Sequence, residues 1–273
     1  MISAYFKKQF STNFSLEVNF EIKSGEIVAL FGESGAGKTS LLRVLSGFEK
    51  ASGWAKKGDF VYFNERKFTK AQDRNIGFLF QDYALFPNMS VLGNLLYAKN
   101  DEKMADFLLE ACELKEYKNA KISALSGGQK QRIALCRALM REPKVLLLDE
   151  PFCALDSKIK EKLKQYLLKI HSIFKPTIII VSHDKNDILS LADRVFVLKN
   201  GKIIKTAKSD EIFNQNQSEF YKSEFYENME NLVLKAKVLA INENELKLEL
   251  CDNFAKNSKT LKINDEILIS KRL

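Results

Sequence analysis

"FGESGAGKTSLL", residues 31–42, sets a glycine-rich turn ahead of a lysine, two hydroxyl residues and leucines at helical spacing. A loop so poor in side chains lets backbone N–H groups close around a phosphate, and Lys38 adds positive charge where the outer phosphates would sit. Gly32, Glu33, Ser34, Gly35, Ala36, Gly37, Lys38, Thr39 and Ser40 cover the phosphate-loop pattern G-x-x-x-x-G-K-[ST] and the residue after it. Gly-Ser-Gly stretches also make ordinary turns, so the flanks decide. "GEIVALF", residues 25–31, is an apolar, β-branched run of buried-strand length, and "TSLLRVLSGF" places Leu41, Leu42 and Leu45 on one helical face before Gly47. Strand, loop and helix follow in the required order, and Thr39 is placed to offer its hydroxyl to Mg²⁺.

At 273 residues and 45% hydrophobic composition, the chain is sized for one large domain and a small appendage. No apolar run approaches the roughly 18 residues needed to span a bilayer. The N-terminal "MISAYFKKQF" lacks the apolar stretch of a signal peptide, which predicts a cytoplasmic product. Cys112, Cys136, Cys153 and Cys251 have no C-x-x-C pairing and read as reduced, mostly packing residues. The net charge is +8, but its lysines are spread along the whole chain, as on a solvated surface rather than a nucleic-acid footprint. The excess favours anionic lipid headgroups.

Strand and helix patterns alternate from residue 15 to about 206, which predicts an α/β domain. "KVLLLDEP" and "TIIIVSHD" are continuous apolar runs ending in polar residues, as in central parallel strands whose carboxyl ends line a ligand crevice. Between them, Ile159, Leu163, Tyr166, Leu167 and Ile170 form the core stripe of an amphipathic helix that also carries His171. "RVFVLKNGKIIKT" reads as a hairpin turning at Asn200-Gly201. A polar helical segment is expected near residues 209–231. After it, "LVLKAKVLAI", "ELKLEL" and "TLKINDEILIS" predict a small β appendage.

"LLLDEP", residues 146–151, supplies two adjacent carboxylates at the end of a buried strand. Asp149 suits Mg²⁺, and Glu150 suits the orientation and deprotonation of an attacking water. "LSGGQKQRIALCRALM", starting at Leu125, gives Ser126 and Gln129 capping-box spacing at the head of an amphipathic helix. A cap does not require two glycines, and Gly127-Gly128 at a helix N-terminus permits close approach of an anion.

With these residues in order, the chain resembles the ATP-binding cassette (ABC) family up to about residue 230. "GESGAGKT" is similar to its Walker A loop, "LSGGQ" to its signature and "LLLDEP" to its Walker B. Gln81 in "FLFQDYALFP" resembles its Q-loop, Asp156 in "CALD" its D-loop, and His183 in "VSHD" its switch histidine. The resemblance implies a P-loop NTPase fold with a RecA-like core and a helical subdomain over residues 1–230. Residues 231–273 then form a β-rich extension, short for a complete oxyanion-binding regulatory domain. It implies ATP and Mg²⁺ as ligands, with Thr39, Gln81 and Asp149 on the metal and Gln81, Glu150 and His183 as catalytic residues. It further implies a head-to-tail homodimer in which Ser126, Gly127, Gly128 and Gln129 close over ATP held by the opposite subunit. The family's adenine-stacking aromatic corresponds to one of Tyr5, Phe6, Phe10 and Phe14, with spacing favouring Phe10 or Phe14.

Among cassettes, a separate chain with a C-terminal β appendage resembles bacterial importer ATPases. These sit on the cytoplasmic face of the cell membrane with integral-membrane permease subunits and, indirectly, a periplasmic substrate-binding protein; no nucleic acid is expected. "QDYALFPNMSVLGNLLYA", residues 81–98, resembles molybdate and tungstate importer ATPases, although sulfate, iron and polyamine cassettes share its "LFP" portion. Tyr83, Phe86, Pro87 and Met89 within it are expected to form part of a groove for a permease helix. Molybdate or tungstate import is therefore the expectation, with another importer, or a soluble regulator in DNA repair or translation, as the alternatives.

Overall fold

Buried apolar strands account for the centre of the molecule. The computed structural model describes residues 1–153, 155 and 157–213, together with the backbone of 236–242 and 245–250. Asp156, residues 214–231 of the expected helical segment and the third apolar run of the tail lie outside these residues. The chain divides into two compact units, Met1–Asn216 and Gln217–Leu273.

The first unit opens with β1 (Ile2–Ser11) and β2 (Phe14–Ile22), followed by β3 (Ile27–Phe31), α1 (Lys38–Ser46), β4 (Ser52–Lys57), β5 (Phe60–Phe63) and β6 (Ile76–Leu79). Three helices come next, α2 (Val91–Ala98), α3 (Glu102–Ala111) and α4 (Gly127–Leu139). The strand–helix alternation then resumes with β7 (Val145–Asp149), α5 (Ser157–Phe174), β8 (Thr177–Val181), α6 (Lys185–Leu191), β9 (Arg194–Lys199), β10 (Lys202–Lys208) and α7 (Ser209–Phe213).

A six-stranded sheet runs in the order β10-β9-β3-β8-β7-β6, parallel except for β10. Every residue of β3, β7 and β8 is buried, which is why these strands read as unbroken apolar runs. An antiparallel sheet in the order β2-β1-β4-β5 packs beside it. Its first strand, "ISAYFKKQFS", alternates too weakly to stand out in the sequence. The hairpin of β9 and β10 turns at Asn200 and Gly201, both at positive φ (47° and 73°), as its Asn-Gly predicts. In the second unit β11 (Ala236–Asn242) pairs antiparallel with β12 (Glu245–Leu250), so two of the three expected runs form a hairpin. Among the described residues no helix is long and apolar enough to cross a membrane.

A buried cation joins the end of α1 to the segment after β5. Arg74 is 2% exposed and lies 4.9 Å over the Phe68 ring, with Tyr62 and Phe63 beside it. It donates to the carbonyls of Val44 and Leu45, at the C-terminal end of α1, and to that of Thr69. Carbonyls at a helix end have no partner within the helix, so a guanidinium there satisfies them and complements the helix dipole. Burial holds the Arg74 guanidinium down at about 10 and pushes the Tyr62 phenol up to about 12. Replacing Arg74 with Met strands the Leu45 and Thr69 carbonyls, while Val44 keeps its bond from Gly47 N–H. The expected loss is about 3 kcal/mol, because bonds to charged groups are the strong ones; a lower urea midpoint at unchanged slope is the readout, and an unchanged midpoint would refute the role.

Candidate functional site

Three chain segments reach the same edge of the parallel sheet. Val181 pairs with Leu30 on one side and with Asp149 on the other, so the loop after β3, the carboxylates ending β7 and Ser182-His183 after β8 emerge together. The carboxyl edge of such a sheet is where ligands bind.

The loop 32–37 is pressed against its neighbours. A Cβ at Gly32 (φ 154°) would come 2.2 Å from the Leu198 carbonyl oxygen, so only glycine fits. Gly201, in the β9–β10 turn, donates its N–H to the Ala36 carbonyl (3.1 Å) and accepts from Glu17 N–H (2.8 Å), bracing the loop from outside. Helix α1 begins after Gly37 with no side-chain cap and no acidic residue in its first turn. Its leading N–H groups therefore face the cleft as anion donors.

Lys38 is 8% exposed and folds back on the loop, donating from Nζ to the carbonyls of Gly32 (2.8 Å) and Glu33 (2.7 Å). Burial lowers its pKa, against the pull of Glu150, Asp149 and Glu33. Asp149, 4% exposed, accepts from Thr39 Oγ1 at 3.1 Å; burial raises its pKa more than that bond lowers it. Each group is a charge short of solvent. A polyphosphate carrying a divalent cation would supply what each lacks.

Glu150 turns sharply out of β7 at φ 49°, a left-handed conformation uncommon outside glycine and concentrated at functional sites. The turn is held by Glu150 N–H donating to the Val181 carbonyl (3.2 Å). Its carboxylate then accepts from Gln81 Nε2 at 3.3 Å and lies 4.0 Å from His183 Nδ1. Gly32, Ser34, Gly35, Gly37, Lys38, Thr39, Ser40, Gln81, Glu150 and His183 line one cleft of about 360 Å³. Glu33 enters through its carbonyl, Ala36 is buried in the loop, and Asp149 lies behind Thr39.

Among the described residues no group of three or more His, Cys, Asp and Glu side chains is placed to hold a metal. Thr39 and Asp149 nevertheless fit Mg²⁺, a hard ion commonly bound by one or two protein oxygens together with substrate phosphates.

Ser126, Gly127, Gly128 and Gln129 are absent from the lining of this cleft. They start α4 with both halves of a capping box: Ser126 Oγ accepts from Gln129 N–H, and Gln129 Oε1 accepts from Ser126 N–H. The two glycines differ in their surroundings. A Cβ on Gly127 meets nothing within 4 Å, whereas one on Gly128 would fall 2.7 Å from Ile159 Cγ2. Gly128 is small because Ile159 of α5 lies against it.

Of the four candidate aromatics, Phe6 is fully buried and Tyr5 lines a separate groove with Trp54. Phe14 reaches the phosphate loop, with Cζ 3.1 Å from a Cβ position on Gly37, and Phe10 lies 6.0 Å from it, ring to ring. Sequence inspection missed the residues that shape the segment after Gln81. Arg137 of α4 donates to the carbonyls of Tyr83 (3.0 Å) and Ala84 (2.7 Å) and lies over the Phe86 ring. The buried Asn94 side chain holds Phe86 by both its N–H and its carbonyl. An arginine or asparagine inside an amphipathic helix carries no local mark of such a task.

A family model described as "ABC transporter" matches residues 16–153. A sulfate/thiosulfate import ATP-binding protein CysA of Halalkalibacterium halodurans is 44% identical over 219 residues, which are 75% of this chain and 60% of that protein. A probable sulfate/thiosulfate import ATP-binding protein CysA of Chlorella vulgaris is 41% identical over 74% of this chain and 88% of its own. The chain thus spans about 60% of the length of the first of these relatives. Among solved structures, the dimeric post-hydrolysis ATP-binding cassette MJ0796 bound to ADP and Pi is 31% identical at a TM-score of 0.66, covering 77% of this chain and 99% of its own. The cbiO1 protein of Clostridium perfringens, part of the ABC transporter complex cbiONQ, is 28% identical at a TM-score of 0.69, covering 79% and 91%.

Contact with Ile159 makes the two α4 glycines separable. Gly128→Ala should lower stability by about 1–3 kcal/mol through overpacking, and Ile159→Ala should recover part of it; Gly127→Ala should leave the fold within about 1 kcal/mol, its helical backbone accepting alanine. Thermal melts of the three variants check this, and equal effects at both glycines would contradict it.

Proposed function

The chain belongs to the ABC transporter family of ATP-binding cassettes, and we propose that it hydrolyses ATP to energise an importer of sulfate or thiosulfate. The observation that carries the ATPase reading is the meeting of Lys38, Thr39, Gln81, Glu150 and His183 in one cleft. The ion is supported by the names of the relatives, which correct the molybdate and tungstate expectation drawn from residues 81–98. That stretch belongs to the nucleotide-binding chain, between the cleft and α2, and has no reason to touch a transported ion. Its resemblance therefore carries little information about cargo.

In this reading the phosphates of ATP lie against loop 32–37 and the uncapped start of α1, and Lys38 leaves the Gly32 and Glu33 carbonyls to face them. Thr39 and Asp149, with Gln81 beside them, would hold Mg²⁺, which supplies positive charge against the phosphate oxygens. Glu150 accepts a proton from water as that water's oxygen bonds the γ-phosphorus and the bond to the ADP oxygen breaks, leaving ADP and Pi. His183 hydrogen-bonds the γ-phosphate and fixes its position, in keeping with a reaction governed by positioning and charge. Phe14, with Phe10 behind it, is the aromatic best placed to stack on adenine. Because Ser126–Gln129 stand away from this cleft, a second copy of the chain would bring its own to complete it, head to tail. The D-loop role of Asp156 enters as part of the same family pattern.

Permease subunits would dock beside the segment after Gln81, at the cytoplasmic face of the membrane, with a periplasmic binding protein delivering the ion. Tyr83, Phe86 and Met89 are half-buried, with Arg137 on the Tyr83 backbone and Asn94 on that of Phe86, so local packing accounts for much of their apolar character. Pro87 is exposed, and the ring of Tyr97, 67% exposed, lies 4.6 Å from that of Phe86 at a tilt of 60°. These two offer anchors for a helix. Changing both to Ser should leave basal ATPase and the fold intact and abolish ATP-driven uptake in the assembled transporter; wild-type uptake would move the docking surface elsewhere.

Glu150→Gln keeps the side-chain shape but accepts no proton, so steady-state hydrolysis should fall by about 100-fold or more while ATP binding persists. Lys38→Ala should instead weaken ATP binding itself. Turnover assays beside equilibrium nucleotide binding distinguish the two, and near-normal turnover in Glu150→Gln would remove it as the base.

A further inference from the structure

The segment carrying His183 is held by something the reaction itself does not use. His183 is 68% exposed at its side chain, so its position follows from the backbone on either side of it. On one side Ser182 Oγ accepts from Asp184 N–H at 3.1 Å, bridging across the histidine. On the other, Asp184 caps α6 by accepting from Asn186 N–H at 2.8 Å. Both interactions are local, and neither ties the segment to another element.

Lys160 of α5 does. Its ammonium donates to Asp184 and lies 2.9 Å from Asp187, one turn into α6 and 2% exposed. Lys164, one turn further along α5, stands 3.8 Å from the other Asp187 oxygen and pairs with Glu161 at 2.8 Å. Lys160, Ser182, His183 and Asp184 share a cavity of about 210 Å³ with Glu150, behind the face that meets the phosphate loop. The base of this anchor is itself fixed, because the preceding residue, Ile159, is wedged over Gly128 of α4.

We propose that Lys160 is a positioning residue for ATP hydrolysis: by clamping Asp184 and Asp187 to α5, it holds His183 where it faces Glu150 and the γ-phosphate. This rests on the reading of His183 and Glu150 given above. A structural alternative has Lys160 only neutralising the buried Asp187 carboxylate, since a buried charge stripped of its partner is strongly destabilising. The two differ in what happens when Asp187 is neutralised by other means. If neutralisation were the whole task, removing both charges would restore activity; if His183 is being placed, the loss of the Asp184 clamp remains.

The test uses the full chain and compares wild type, His183→Ala, Lys160→Met, Lys160→Arg and the double variant Lys160→Met with Asp187→Asn. Thermal melts, equilibrium MgATP binding and steady-state ATPase are measured on each. The double variant should melt and bind MgATP like wild type, with KM unchanged and kcat at least about tenfold lower, as expected when a reacting group is misplaced. Lys160→Arg, which keeps the cation, should retain about half of kcat or more, because charge and reach survive. Recovery of wild-type kcat in the double variant would overturn the proposal, as would a loss confined to KM. Failure of the underlying reading looks different: wild type would not hydrolyse ATP, or His183→Ala would turn over normally. Hydrolysis that depends on His183 but survives Lys160→Met sinks this inference alone.

Discussion

The pairing of Val181 with Leu30 and Asp149 is the constraint on which the site depends. Three strands from distant parts of the chain end level with one another, so a phosphate loop, a carboxylate pair and a histidine meet without any long side chain having to reach. Because β3, β7 and β8 are buried on both faces, a slip in register would carry apolar side chains out of place and is opposed along the whole strand. Each fully buried leucine or isoleucine contributes about 2 kcal/mol to keeping these strands in the core. The core is thus what aligns the chemistry.

That alignment leaves two charges poorly solvated. Lys38 is depressed and Asp149 raised, both chiefly by burial, and Lys38 rests on carbonyls while Thr39 bonds Asp149. Such substitutes satisfy the groups without matching their charge, which keeps the cleft ready for a ligand that does. Glu150 adds backbone strain at φ 49°, sustained because β7 and β8 hold the turn from both sides. Stability is forgone where the reaction is to occur.

Around this centre, charged side chains serve as joints between elements rather than as surface decoration. Arg74 joins the end of α1 to the turns after β5, Arg137 joins α4 to the segment after Gln81, and Lys160 joins α5 to the start of α6. Each binds backbone carbonyls or buried carboxylates, where a cation is worth more than in an exposed pair. The segment after Gln81 is thereby tied to α4. Exposed pairs such as Lys115–Glu110 have no comparable role.

The chain's own residues, read in order, were enough to locate the phosphate loop, the ends of β7 and β8, the Asn-Gly hairpin and the capping box of α4. Each of these is written within a few residues, because a backbone turn, a helix start or a doubly buried strand restricts the side chains that form it. The same inspection passed over β1, whose largely exposed second half leaves only a weak pattern, and had no sign that Ile159 lies against Gly128. It also had no means of finding Arg74, Asn94, Arg137 or Lys160, which look like ordinary residues of turns and amphipathic helices. Their partners lie far along the chain: 30 residues separate Arg74 from Val44 and 24 separate Lys160 from Asp184. Whether such groups meet is decided by which faces pack together, a property of the assembled layers that no local spacing encodes.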